Sequence, residues 1–278
     1  MRYAIGVDLG GTNIKAGLVS ERGEISHEME ITTDARSGGH GVGRQIAEVA
    51  ARIFQAAPVR EAVVGVGIGS PGVILAESGV IDFSPNLYTE DGKQWRNVPL
   101  AEHVRDALSP ELRDRPIVLE NDVNAMAFGE YTFGAGQPVR YMIGLTLGTG
   151  VGGGIVFNGE VYRGPSNSAG EIGHMTVDPN GPRCGCGNYG CLEALVGTAG
   201  ILDRTRRKVL VEGRPSLLEG ELEELTPLRI EQAAHQGDAV AREVYLETGR
   251  YPRHPLGLAG KLPEPRDDRH RRWHLQGR

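Results

Sequence analysis

The stretch "EIGHMTVDPNGPRCGCGNYGC", Glu171 to Cys191, holds every cysteine of a 278-residue chain. His174, Cys184, Cys186 and Cys191 offer one imidazole and three sulfurs, a donor set that suits tetrahedral Zn²⁺. The cysteine count is odd, so internal disulfides cannot use them all. Spare reduced thiols or a strained Cys184–Cys186 bridge are the rival readings. Gly185, Gly187 and Gly190 permit the tight loop that such close ligands need. Four protein ligands fill the tetrahedron and leave no position for an activated water, so the metal is expected to be structural. It would staple the loop and orient Glu171 and Glu193, whose carboxylates suit bidentate bonds to sugar hydroxyls.

Two glycine turns could cradle phosphates. In "DLGGTNIK" (Asp8 to Lys15), Gly10 and Gly11 can turn backbone N–H groups toward an anion. Thr12 adds a hydroxyl, Lys15 a positive charge, and Asp8 a carboxylate able to hold Mg²⁺ through water. The rival reading is an ordinary hairpin turn. In "LTLGTGVGGG", Gly148, Gly150 and Gly153 have G-x-G-x-x-G spacing. A dinucleotide fingerprint should open a helix, whereas "GIVFNGEVY" follows here and reads as a strand. A second phosphate-cradling hairpin fits better. In "LENDVNA", Asn121 and Asp122 fall where a strand ends and a helix begins, a favoured place for catalytic groups in α/β sheets. The rival role for Asp122 is a plain helix N-cap. Near a helix N-terminus its carboxylate is expected to stay ionised at neutral pH.

The elements that must position these residues alternate between strand and helix, the pattern of an α/β domain. "YAIGVDLGGTNIKAGLVSERGEI" reads as strand, glycine turn, strand, with a further turn at Glu21–Gly23. "HGVGRQIAEVAARIF" has helical spacing in Val42, Ile46, Val49 and Ile53. "RPIVLENDVNAMAFGEYTFG" reads as a strand and then a helix. "RYMIGLTLGTGVGGGIVF" echoes the opening "RYAIGVDLGGTNIKAGLV". Two copies of one hairpin signal suggest a duplicated fold with a cleft between the copies. The expected division is 1–126, carrying the first phosphate loop and Asp122, and 127–250, carrying the second phosphate loop and the zinc loop. A single helix is expected around "PLRIEQAAHQGDAVAREVYLETGR". Net charge is −6, which gives no electrostatic reason to expect a nucleic-acid partner. No apolar run approaches the ~20 residues of a membrane helix, and no secretory signal precedes the first strand. Clustered free cysteines fit a cytoplasmic location.

Together these pieces resemble the ROK family of sugar kinases and repressors, on the actin/hexokinase-like ATPase fold. The resemblance rests on "DLGGTNIK", "GIGSPG", "LENDVNA", "LTLGTGVGGG", "EIGH" and "CGCGNYGCLE", in the family's order. It implies that Asp122 is the catalytic base for a sugar hydroxyl. It implies sugar contacts from Asn121, Glu171, His174 and Glu193, with Gly72 and Asn86 lining the same pocket. His174 could serve metal and sugar together, one ring nitrogen for each. Asp8, Gly10, Gly11, Thr12 and Lys15 would form the first phosphate loop, and Gly148, Thr149 and Gly150 the second. The implied reaction is in-line transfer of the γ-phosphoryl group of ATP, with Mg²⁺ on the phosphate tail. Glucose is the first choice of substrate. Fructose, N-acetylglucosamine and N-acetylmannosamine are alternatives, and a non-catalytic sugar-sensing regulator is the alternative of another class. Family repressors carry a helix-turn-helix module ahead of the first phosphate loop; Asp8 stands close to the start, which favours a kinase. A homodimer is expected of the full-length chain.

Past Arg250 the pattern changes. From Pro252 the chain is rich in Pro, Arg and His and has neither helical nor strand period. At this point the resemblance implies an apolar helix, a strand entering a GGG turn at adenosine, and a helix returning to the first domain. A one-base slip in the coding sequence would explain the change, because permissible codons for this stretch, read one base later, give an apolar helix and a GGG turn. Residues 251–278 are therefore expected to be aberrant and the fold incomplete at the C-terminus; a genuine divergent or disordered terminus is the rival reading. Such a chain would bind zinc and sugar with little ATP-dependent turnover.

Overall fold

The structure, a computed structural model, describes residues 1–137 and 139–251. It forms two compact units, one of Met1–Gly144 with Gly154–Gly170, the other of Leu145–Gly153 with the residues from Glu171 onward.

The first unit is built on a five-stranded sheet. Its strands are β1 (Tyr3–Leu9), β2 (Asn13–Ser20), β3 (Ile25–Thr32), β4 (Val63–Ser70) and β8 (Ile117–Asn121), in the order β3-β2-β1-β4-β8. β1–β2 and β2–β3 pair antiparallel, while β4 lies parallel to both β1 and β8. Helix α1 (Gly38–Ala56) follows β3 and buries Val42, Ile46, Val49 and Ile53, the residues whose spacing announced it. They join Ile5, Leu9, Ile14 and Leu18 of the sheet in one core. Between β4 and β8 the chain forms a second sheet, β5 (Val73–Leu75), β6 (Val80–Tyr88) and β7 (Gln94–Val98), then helices α2 (Leu100–Ala107) and α3 (Pro110–Arg113). Leu100 and Val104 of α2 complete the core.

Helix α4 (Asp122–Phe133) leads to β9 (Tyr141–Leu147), β10 (Val151–Phe157) and β11 (Glu160–Val161), a three-stranded sheet in the order β11-β10-β9. The glycine turn between β9 and β10 runs from strand to strand with no helix, which excludes the dinucleotide fingerprint. The units also divide the chain elsewhere than after residue 126. Ala127 is fully buried, and a Cβ on Gly144 or Gly154 would stand 3.0 or 2.7 Å from its Cβ. This close packing keeps α4 and the outer parts of β9 and β10 in the first unit.

The second unit contains α5 (Leu192–Val196), α6 (Thr198–Arg206), α7 (Pro227–His235) and α8 (Ala239–Arg250). The stretch expected as one helix is two, α7 and α8. Gly237 takes a left-handed φ of +96°, which ends α7, and the Asp238 carboxylate caps α8 by accepting from Ala241 N–H at 2.7 Å. Ile230, Val240 and Val244 share a core with Ile201 of α6. Lys208, nearly fully buried, bonds Glu243 and Glu247 of α8 at 2.8 and 2.9 Å. Of the stretch expected to be aberrant, only Tyr251 is described. It packs on the apolar cluster of Val151, Leu192 and Val196. The reading of residues 252–278 as frame-shifted lies outside the described residues.

Candidate functional site

In the first unit, strand β8 delivers Asn121 and Asp122 at its end. Asn121 is the cap of α4: its Oδ1 accepts from the N–H groups of Val123 and Asn124, both at 3.0 Å. Its amide donates to the Gly72 carbonyl at 3.1 Å. One amide hydrogen is left for a ligand. Asp122 is thereby relieved of capping and becomes the first helical residue, its Oδ1 accepting Val123 N–H at 2.9 Å. Burial pushes its carboxyl above the usual carboxylate range. The Val123 N–H pulls it back and the charge of Asp8 pushes it further up. Desolvation thus outweighs the field at the helix start. Asp8 is likewise raised by the protein around it and lowered by Lys15, its cross-strand partner in the β1–β2 register.

The first glycine turn closes with Gly10 N–H donating to Asn13 O at 2.9 Å. A Cβ on Gly11 would stand 2.9 Å from the Asn86 carbonyl oxygen, so glycine lets this turn approach β6. Gly72 has φ of +109°, and an added Cβ would meet Phe83 O at 2.0 Å. Gly11, Gly72, Asn86 and Asn121 are therefore tied together by direct contacts or close approaches to β6 and its neighbour.

Two residues were not singled out from the sequence. Arg163 donates through Nε to Glu120 Oε2 at 2.8 Å, and the other Glu120 oxygen accepts from Asn121 N–H and Asn124 Nδ2 at 3.0 and 3.1 Å. This pair braces the strand-to-helix junction that carries Asp122. Glu120 stood inside a recognised motif; Arg163 lay in a loop with no local signal.

In the second unit the four expected ligands converge: the donor atoms of His174, Cys184, Cys186 and Cys191 all lie within 4.8 Å of one another. The Cys186 and Cys191 sulfurs are 3.7 Å apart, and Cys184 Sγ is 3.7 Å from His174 Nδ1. A tetrahedron with Zn–S bonds of ~2.3 Å has an edge of ~3.8 Å, so these separations fit the ion. All three cysteines are free, which removes the Cys184–Cys186 bridge. Burial pushes the Cys191 thiol up to about 12 and raises Cys184, while the Asn188 N–H lowers Cys186. The loop needs its glycines: Gly190 has φ of +62°, and a Cβ there would overlap the Asp178 carbonyl at 1.5 Å.

His174 turns Nδ1 toward Cys184 and Nε2 toward Glu171, whose Oε2 is 3.9 Å away. Glu193, on α5, has Oε1 4.0 Å from His174 Nδ1 and accepts Val151 N–H on Oε2 at 3.0 Å. Val151 directly follows the second glycine turn. Within that turn Gly148 N–H donates to Gly150 O at 3.0 Å, and Gly148 O accepts Thr198 N–H and Oγ1–H at 3.0 and 2.9 Å. The first unit thus gathers Asp8, Gly10, Gly11, Thr12, Lys15, Gly72, Asn86, Asn121 and Asp122. The second gathers Gly148, Thr149, Gly150, Glu171, His174, Glu193 and the cysteines.

The sequence profile of the ROK family matches residues 4–256. A glucokinase of Thermotoga maritima is 41% identical over 240 residues, covering 85% of this chain and 71% of its own. The crystal structure of a ROK family glucokinase from Streptomyces griseus, in complex with glucose and AMPPNP, superposes with a TM-score of 0.73 at 35% identity. That match covers 92% of this chain and 79% of the other. A ROK family transcriptional regulator, a homologue of the E. coli MLC protein, superposes with a TM-score of 0.78 at 29% identity. This chain spans 62% of that regulator's length.

Proposed function

The chain belongs to the ROK family, with the actin/hexokinase-like ATPase fold, and from that footing we propose that it is a glucokinase transferring the γ-phosphoryl group of ATP to glucose, giving glucose 6-phosphate. The observation that carries the reading is the division of labour at the end of β8. Asn121 takes the capping duty, so Asp122 stands half-buried with a raised pKa and a free oxygen, the condition of a general base.

Asp122 accepts the proton of the attacking sugar hydroxyl as its oxygen bonds to the γ-phosphorus. Asn121 offers one amide hydrogen to the sugar, beside Gly72 and Asn86. Glu171 and Glu193 accept from sugar hydroxyls, and His174 donates through Nε2 while Nδ1 faces the thiols. The N–H groups of Gly11 and Thr12 and of Thr149 and Gly150 donate to phosphate oxygens, with Lys15 adding charge, while Gly10 and Gly148 close their turns through their own N–H groups. Asp8 would hold Mg²⁺ through water, and the ion would neutralise the phosphate tail when bound. His174, Cys184, Cys186 and Cys191 would hold Zn²⁺, which supplies no open coordination position and serves the loop's shape. Most of the acceleration comes from positioning and charge stabilisation.

The described residues contain no helix long and apolar enough to cross a membrane. We place this ATP-dependent, free-thiol protein in the cytoplasm, in carbohydrate metabolism at the entry to glycolysis, as a homodimer. The likeness to a transcriptional regulator supports a second reading, sugar sensing without turnover. ADP release with glucose, fructose, N-acetylglucosamine and N-acetylmannosamine separates them. Turnover highest with glucose supports the proposal. Calorimetric glucose binding with no ADP release from any sugar, both in this chain and in one whose reading frame is restored after Arg250, supports the sensor.

A further inference from the structure

We propose that Glu193 couples the sugar subsite to the second phosphate loop, so that the loop's conformation sets sugar affinity and a bound sugar holds the loop. The inference rests on the reading above that Glu193 takes a sugar hydroxyl and the Gly148–Gly150 loop takes phosphate.

The two oxygens of Glu193 are divided between these tasks. Oε2 accepts Val151 N–H at 3.0 Å and is committed to the loop. Oε1 stands 4.0 Å from His174 Nδ1 and 3.7 Å from Cys184 Sγ, beside the imidazole whose other nitrogen, Nε2, is read above as the sugar donor. A carboxylate is planar and rigid, so displacing one oxygen displaces the other. The junction between α5, which bears Glu193, and α6 is fastened to the same loop a second time. Thr198 clasps Gly148 O with both its N–H and its hydroxyl, and a Cβ on Gly197 would stand 3.1 Å from Thr149 O. A sugar bound to Oε1 therefore restrains the loop through Oε2, and by linkage a loop that displaces Oε2 weakens the sugar.

Glycine-to-alanine substitutions allow this to be tested. A Cβ on Gly150 would stand 2.4 Å from Glu193 Oε2, 3.3 Å from its Cδ and 3.9 Å from its Cγ, and meets no other residue this closely. The obstacle is the tip of a side chain, so Gly150→Ala moves the carboxylate and spares the backbone. A Cβ on Gly220, outside both glycine turns and the cysteine loop, meets nothing within 4 Å. Neither glycine has a positive φ, so alanine adds no backbone strain at either position.

Glucose affinity is measured by calorimetry, without nucleotide, for the wild-type chain, Gly150→Ala and Gly220→Ala, with thermal melts of each. Gly150→Ala is expected to bind glucose about ten-fold more weakly, the scale of one lost charge-assisted hydrogen bond. Gly220→Ala should stay within about two-fold of wild type, all three with similar melting temperatures. As a second measurement, wild-type affinity for AMPPNP should rise about ten-fold with saturating glucose, a coupling of ordinary size. Coupling is overturned if Gly150→Ala binds glucose as wild type does, if both alanines weaken it equally, or if glucose leaves AMPPNP affinity unchanged. A wild-type chain that binds no glucose would instead remove the functional reading, and the coupling with it.

Discussion

Asp122 carries the heaviest assignment of any single residue, and its environment makes that assignment testable. Its folded pKa is raised, so the ionised form is the disfavoured one in the fold. Its contribution to stability is fully present below the unfolded pKa of ~3.9 and lost as pH rises through the folded value. At neutral pH the ionised group therefore costs stability. Asp122→Asn keeps the size and the bond from Val123 N–H, and Asn121 keeps the cap. Turnover should fall by roughly 10²–10⁴ while glucose affinity holds, and the melting temperature at pH 7 should be equal to wild type or higher. Turnover within a few-fold of wild type would leave Asp122 without a catalytic part. A pH profile adds an independent check. Protonation of the base removes activity, so kcat should fall on the acid side with a limb above the ordinary aspartate range. Asp8 pushes that pKa upward, and Asp8→Asn should move the limb of the residual activity to lower pH. A limb that stays in place would show that something other than Asp122 titrates there.

At the scale of elements, the loop from His174 to Cys191 explains why the chain concentrates its cysteines. Its backbone is cross-linked by bonds such as Cys184 N–H to Asn188 O at 2.7 Å and Gly190 N–H to Pro182 O at 2.8 Å, but the side chains it buries are the thiols of Cys184 and Cys191 and not an apolar core. A metal would replace the missing core. One zinc per chain is expected by elemental analysis of freshly purified protein. Cys184→Ser should lose it, lower the melting temperature, and weaken glucose by roughly ten-fold or more as Glu171 and Glu193 lose their setting. Full zinc content in that variant, or none in the wild type, would defeat the assignment. Because the Cys191 thiol is pushed up to about 12, its proton must leave for metal to bind, and affinity should rise with pH.

Across the whole molecule, the first unit carries Asp122 and the first glycine turn, and the second carries the four-ligand set, Glu171, Glu193 and the second glycine turn. A ligand that binds only the folded chain stabilises it by about 2.7 kcal/mol at a hundred times its Kd. Glucose should therefore raise the melting temperature in calorimetric scans, and an unchanged transition at millimolar glucose would count against glucose as the ligand. The sequence by itself determined the α/β class, the twin glycine hairpins, α1 and the four-ligand loop. These depend on local spacing: a 3.6-residue apolar period, glycine between strands, and ligands close along the chain. Even where the motif was plain, its internal roles were not, since Asn121 and Asp122 are both good caps and only the observed hydrogen bonds separate them. Tertiary structure alone decided the rest. It kept α4 with the first unit through Ala127, and brought Arg163 to Glu120 and Glu193 to Val151. Each of these is a contact between residues far apart in sequence, and no local pattern encodes it, whereas the break of the expected last helix carried a local signal in Gly237 and the capping Asp238.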